Sequence, residues 1–221
     1  MGMPAIALTD HGNMYGIKEF CNVAKKFPDI KPILGCEVYV TRHYDHKLQD
    51  NAHRAYYHLI LLAKNYNGYK NLMKIVSTGH LEGLYYKPRV SHEILEKYHE
   101  DLICSSACIA GEVPQRILAG DIAGAEESIE WFKRVFGEDY YLEVMAHETE
   151  VPGQSKEIYY KEREYDKVIF ELAEKHHVKV IATNDAHFLR KEDGPAHDRL
   201  ICLTTNSFVD DEKRLHYTQQ E

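Results

Sequence analysis

Short apolar runs rich in β-formers alternate with longer stretches whose apolar residues recur at helical spacing, and this alternation persists along most of the 221-residue chain. Such a pattern confines the chain to an α/β architecture, because each strand must bury its faces under the helices that flank it. Residues 4–9 (Pro-Ala-Ile-Ala-Leu-Thr) read as a strand, and a helix over 14–26 carries Ile17, Phe20, Cys21 and Ala24 on one face. Pro28 and Pro32 punctuate the next link, and strands follow at 33–40 and 57–63, separated by a polar, His-rich loop over 42–54. A helix over 68–78, a strand at 102–105, helices over 112–119 and 122–136, a strand at 140–145, a helix over 156–177 and a strand at 178–183 complete the series. The spacing predicts a parallel open sheet or barrel, with functional residues just past the carboxyl ends of strands. The segment after Thr205 reads as irregular.

A chain of this length with 44% hydrophobic residues can bury one sizeable core, and one domain is expected. The longest apolar run, residues 58–63, is strand-sized and far short of the roughly 20 residues that span a bilayer. The first residues lack a basic segment followed by an apolar stretch, so the expected location is cytoplasmic. Five scattered cysteines fit neither a disulfide framework nor paired zinc-finger spacing. A formal net charge of -8 argues against tight nucleic-acid binding by surface Lys and Arg. Bound divalent ions would still let an acidic chain hold a phosphodiester. Fourteen histidines supply the imidazoles such ions favour.

Two strand ends carry the same payload, Thr9-Asp10-His11-Gly12 and Thr183-Asn-Asp185-Ala-His187. Carboxylate oxygen with imidazole nitrogen is a ligand mix for Zn, Mn or Fe, and the spacing of Asp185 and His187 puts both on one face of an extended backbone. The competing reading makes each Asp a cap of the following helix beside a solvent-facing His. Glu37, inside an apolar strand, needs a partner if buried and none if it faces water. His58 opens a very apolar strand, where a satisfied core imidazole is the simpler reading and where a site at carboxyl ends fits poorly. Cys108, in the small-residue loop 105–111, can offer a thiolate, whereas Cys104 reads as a small buried hydrophobe. Tyr85-Tyr-Lys87-Pro-Arg89 sets aromatics beside cations able to stack on a base and meet a phosphate, or else forms a surface turn. Nucleophile-elbow, phosphate-loop and dinucleotide fingerprints are absent from the sequence.

Taken in order, Ala-Leu-Thr-Asp10-His11-Gly-Asn, Gly-Cys-Glu37, His58-Leu-Ile-Leu-Leu-Ala with Asn67-Gly-Tyr-Lys-Asn-Leu, Leu84-Tyr-Tyr-Lys87-Pro-Arg89, Cys108-Ile-Ala-Gly-Glu-Val-Pro and Ala-Thr-Asn-Asp185-Ala-His187 resemble the polymerase and histidinol phosphatase (PHP) domain that opens bacterial DNA polymerase III alpha subunits. The resemblance runs from about Pro4 to the end of the chain. It implies a distorted (β/α)7 TIM-like barrel with up to three zinc or manganese ions at one mouth. It also implies metal ligands His11, Glu37, His58, Cys108, Asp185 and His187, with Asp10 orienting them. Asp10, His11 and Asp185 are then the expected catalytic residues, and Lys87 and Arg89 the expected nucleic-acid contacts. Family members begin with a strand carrying His-x-His, and this chain starts at what corresponds to the second strand. The resemblance therefore implies a truncated barrel with an open seam and fewer metals, or none. Residues 1–205 would form the domain and 206–221 the start of the connection to a polymerase core.

The expected activity is metal-dependent 3'-5' exonuclease proofreading in a DNA-directed DNA polymerase, acting on a primer 3' end. Nucleotidyl transfer itself belongs to residues outside this chain. A different class of reading is a non-catalytic platform that docks a separate proofreading exonuclease subunit. A stand-alone phosphatase for a small phosphomonoester is a third, against which the Asn67-Gly-Tyr and Tyr-Tyr-Lys-Pro-Arg segments stand.

Overall fold

The computed structural model describes residues 2–148, 156–211, 214, 215 and 217. In chain order it contains β1 (Ala5–Leu8), α1 (Ile17–Ala24), β2 (Lys31–Thr41), β3 (Tyr56–Ala63), α2 (Tyr66–Leu81), β4 (Leu84–Tyr85), β5 (Lys87–Val90) and α3 (His92–Tyr98). Then come β6 (Leu102–Ser105), α4 (Glu112–Leu118), α5 (Ile122–Phe136), β7 (Tyr140–Val144), α6 (Glu157–His176), β8 (Lys179–Ala182) and α7 (Gly194–Thr205). Every strand and helix expected from the pattern is present. The β4–β5 hairpin, α3 and α7 were not anticipated. Side-chain caps fix where helices begin: Asn65 accepts from the backbone N–H groups of Asn67 and Gly68, and Asp121 from that of Gly124.

The strands form a curled half-barrel sheet in the order β4-β5-β2-β3-β6-β7-β8, with β1 also paired to β2. The parallel expectation needs correcting in two places: β3 runs antiparallel to both β2 and β6, and β4 runs antiparallel to β5, while β1–β2, β2–β5, β6–β7 and β7–β8 are parallel. The cause at β3 is local. The loop between β2 and β3 has no crossover helix, and a strand returning without one pairs antiparallel. The first residues of β3 therefore lie beside the carboxyl end of β2, with His58 opposite Tyr39. This reversal answers the difficulty His58 posed on sequence grounds.

Strand alternation separates two faces. Cys36, Val38 and Val40 of β2 and Leu59 and Leu61 of β3 are buried in a core with Leu72 and Ile75 of α2, Ile129 and Phe132 of α5, Leu142 of β7 and Ile169 of α6. Complete burial of each such leucine or isoleucine stabilises by about 1.5–3 kcal/mol. The intervening residues, Glu37 and Tyr39 on β2 opposite Ile60 and His58 on β3, share the other, concave face. Parity thus sends Glu37 into the half-barrel rather than to water. Of the region 206–221, residues 212, 213, 216 and 218–221 lie outside the described residues. Arg214 ties the described part to α7 through Asp198, with Nη1 at 2.6 Å and Nη2 at 2.8 Å from its carboxylate oxygens.

Candidate metal centre

Two backbone clips and one kinked loop bring the expected ligands to one mouth of the sheet. Beyond β1 the pairing with β2 continues as a His11–Glu37 bridge, in which Glu37 N–H donates to Asp10 O at 3.1 Å and Gly12 N–H to Glu37 O at 2.8 Å. Gly12 is required at this turn, since its φ is +65° and an added Cβ would stand 2.6 Å from the Tyr39 ring. The Cys108 loop is clipped to the start of β3 by His58 N–H donating to Ala110 O at 3.0 Å, and it closes through Gly111 N–H to Cys108 O at 2.8 Å. A Cβ on Gly111 would lie 2.0 Å from Ser106 O. After β8, Asp185 adopts a left-handed φ of +47°, so the extended Asp-Ala-His segment expected from sequence is corrected to a kink. There His187 Nδ1–H donates to Asp185 O at 2.6 Å, which leaves Nε2 as the free lone pair.

Glu37, His58 and Cys108 offer ligand atoms that all lie within 4.8 Å of one another. Glu37 Oε1 stands 2.9 Å from His58 Nδ1 and 3.4 Å from His11 Nε2, and Cys108 Sγ stands 3.6 Å from His58 Nδ1. Ligands bound tetrahedrally to one zinc sit roughly 3.3–3.6 Å apart, given bond lengths of about 2.0–2.3 Å. His187 joins through its ring, 5.3 Å from that of His11, and Asp185 lines the same 440 Å³ cleft as Asp10, His11, Glu37, Cys108 and His187. Glu37 Oε1 and His187 Nε2 are buried without an aligned hydrogen-bond partner. Orphaned acceptors of this kind, with a carboxylate, imidazoles and a thiol converging, fit a zinc- or manganese-type ion.

The charge balance points the same way. Burial alone would raise the Glu37 carboxyl, but His58, His11 and His187 outweigh it and hold the group below the ordinary carboxylate range. Burial, reinforced by Asp185 and Glu37, pushes the Cys108 thiol well up. Only a cation would make a thiolate affordable there. Tyr217, whose ring centroid is 4.1 Å from that of His187, is pushed up to about 12 by burial and by Asp185, Cys108 and Glu37.

Sequence reasoning missed the residues that support the candidate ligands. Glu143, on β7, accepts from Ser105 Oγ, Ala107 N–H and Thr183 Oγ1, tying β6, β7 and the end of β8 together beneath the cleft. Burial raises its carboxyl above the ordinary range despite those donors. His147 is clamped between Glu162 and Asn184 O, the latter at 2.6 Å from Nε2, which fixes the backbone just before Asp185. Only burial, invisible to local spacing, distinguishes these two from ordinary polar residues. Asp10 accepts from Gly16 N–H at 3.3 Å, so it also holds the entry to α1.

The expected nucleic-acid contact at Arg89 is corrected. Its side chain is 0% exposed, and its guanidinium donates to backbone carbonyls of Gly83, His46, Leu48 and His53 and to the Tyr44 hydroxyl. Arg89 pairs in register with Tyr39 on β2, and that position buries it beneath the 42–54 loop. Lys87, by contrast, is exposed, and its Nζ stands 5.3 Å from the Tyr39 ring centroid.

A curled α/β sheet with an acid–imidazole–thiol cluster at one mouth defines the class, and the chain belongs to the PHP domain family, which matches residues 1–147. Beyond that family it is similar to DNA polymerase III subunit alpha of Borreliella burgdorferi, at 44% identity over 220 residues, covering 99% of this chain and 18% of that protein. The corresponding subunit of Treponema pallidum is 39% identical over 225 residues, covering 100% of this chain and 18% of the relative. That of Deinococcus radiodurans is 35% identical over 223 residues, covering 99% and 16%. The chain thus spans less than a fifth of the length of these relatives.

Proposed function

We propose that this chain is the phosphoesterase domain of a replicative DNA polymerase, hydrolysing phosphodiester bonds at a DNA 3' end as a proofreading step. The convergence of His11, Glu37, His58, Cys108, Asp185 and His187 on one mouth of the sheet carries the reading. These six side chains would hold zinc or manganese, up to three ions in a complete (β/α)7 barrel. When bound, such ions activate water and offset charge on the phosphoryl oxygens. The chain's own groups position and exchange protons: Asp10 and Asp185 line the cleft and supply carboxylates able to take up a proton as water attacks, while His11 lines the same cleft 3.4 Å from Glu37. Residues 1–205 form the domain in this reading, and 206–221 lead towards a polymerase core. Replication places the protein in the cytoplasm. No helix among the described residues is long and apolar enough to cross a membrane.

The test joins elemental analysis of the purified chain with hydrolysis of a 3'-labelled oligodeoxynucleotide by the chain and by a polymerase containing it. The expected result is bound zinc or manganese and a metal-dependent loss of 3' nucleotides that Asp185→Asn and His187→Ala abolish. A metal-loaded, folded protein that releases no 3' nucleotide would overturn the nuclease reading and leave a platform for a separate exonuclease subunit.

A further inference from the structure

The correction at Arg89 leaves open what its exposed neighbours do. Tyr86 forms the whole turn between β4 and β5, whose register pairs Tyr85 with Lys87 and Leu84 with Pro88. Its φ is +60°, a conformation cheap for glycine and strained for an aromatic residue, yet its side chain is 70% exposed and packs into no core. Folding alone would favour glycine here, and packing does not account for the ring. The Arg54 guanidinium lies 5.1 Å from the Tyr86 ring centroid, and the Tyr85 ring meets that of Tyr86 edge-on at 4.7 Å. An aromatic face so presented, flanked by a cation, is what a nucleobase stacks upon.

This platform connects to the metal centre. Lys87 stands over Tyr39, whose ring is 4.9 Å from Tyr56 and 5.5 Å from His58, and Tyr56 stacks on His58 with rings 5° from parallel. Lys87 therefore links the hairpin to the ligand cluster through the buried Tyr39 ring, which meets Tyr56 and His58 edge-on, and it puts positive charge at the hairpin end of that link. Neither Arg54 nor Lys87 forms an ion pair with an acidic side chain among the described residues, although the chain carries a net charge of -8. Their charge is left for a ligand that is itself anionic and planar-faced.

We propose that Tyr86, Arg54 and Lys87 form the platform on which single-stranded DNA docks as its 3' end enters the metal centre, with Tyr86 stacking on a base and the two cations meeting phosphates. The proposal rests on the phosphoesterase reading of that centre for the direction of the strand.

Fluorescence anisotropy of a labelled single-stranded oligodeoxynucleotide, titrated with the 221-residue chain in EDTA, tests it without catalysis. Tyr86→Gly removes the ring and relieves the left-handed strain, so its Tm should hold or rise while its Kd weakens on the order of ten-fold. Tyr86→Phe should keep the wild-type Kd. Arg54→Ala and Lys87→Ala should each lower the slope of log affinity against log salt by about 0.7. Wild-type affinity in Tyr86→Gly, or no measurable binding by the unaltered chain, would overturn the proposal. The two readings fail separately: loss of binding in Tyr86→Gly with no 3' hydrolysis by wild type removes the phosphoesterase but keeps the platform, and the opposite pair of results removes the platform alone.

Discussion

A carboxylate buried to 2% exposure in the middle of a strand, as Glu37 is, carries a desolvation cost of several kcal/mol unless positive or donor groups face it. Here the facing groups are imidazoles, and one oxygen still lacks an aligned donor. Glu37→Gln should therefore fold but lose zinc affinity by more than the roughly 10- to 100-fold typical of second-layer changes, as titration calorimetry would show. Unchanged affinity would remove Glu37 from the ligand set. The local sequence could not decide this residue, because alternation gives a period of two without saying which face is which. Register against β3 supplied the answer. Away from the site, Asp166 on α6 is raised from 3.8 to about 6, chiefly by burial, with Arg163 at 3.2 Å opposing the shift. A folded state that holds its proton more tightly than the unfolded chain loses stability as pH rises. Asp166 thus destabilises at pH 7, and the effect fades as pH falls from about 6 towards 4. Asp166→Asn should raise Tm at pH 7 and converge on wild type near pH 4, and parallel Tm curves would contradict this account.

β3 shows what pattern can and cannot convey about an element. Its residues announced a strand, and the missing helix before it announced its antiparallel direction, but the alternation elsewhere in the chain masked that signal. The β4–β5 hairpin went unseen because two short strands around a single turn residue leave too few positions for a period to register. Its Arg89 looked like a surface cation for the same reason. Composition placed it beside aromatics, and only packing revealed four carbonyl groups of the surrounding backbone converging on it. Arg89→Ala should destabilise by about 3 kcal/mol or more, since charge-assisted hydrogen bonds to buried acceptors contribute roughly 1.5–3 kcal/mol each and the carbonyls would be left unpaired. Arg89→Lys should recover little, because an ammonium cannot reproduce the planar fan of donors. Urea denaturation measures both, and full recovery by Lys would show that charge alone is what the loop requires.

The half-barrel as a whole makes the site by bringing together segments more than 170 residues apart in sequence, from His11 to His187. The meeting of the two Asp/His strand ends was legible because an α/β fold gathers strand ends at one mouth, and the family resemblance extended that pair to six proposed ligands. The supports at Glu143 and His147, and the approach of Tyr217 to His187, were not legible, because they depend on how distant segments meet rather than on any local spacing. X-ray absorption spectroscopy of the zinc-loaded chain addresses the central claim, that these side chains bind metal as one cluster. The account predicts a sulfur neighbour at about 2.3 Å with nitrogen or oxygen at about 2.0 Å, the sulfur disappearing in Cys108→Ser. A spectrum with light-atom ligands alone in the unaltered chain, or a sulfur signal that survives Cys108→Ser, would contradict it.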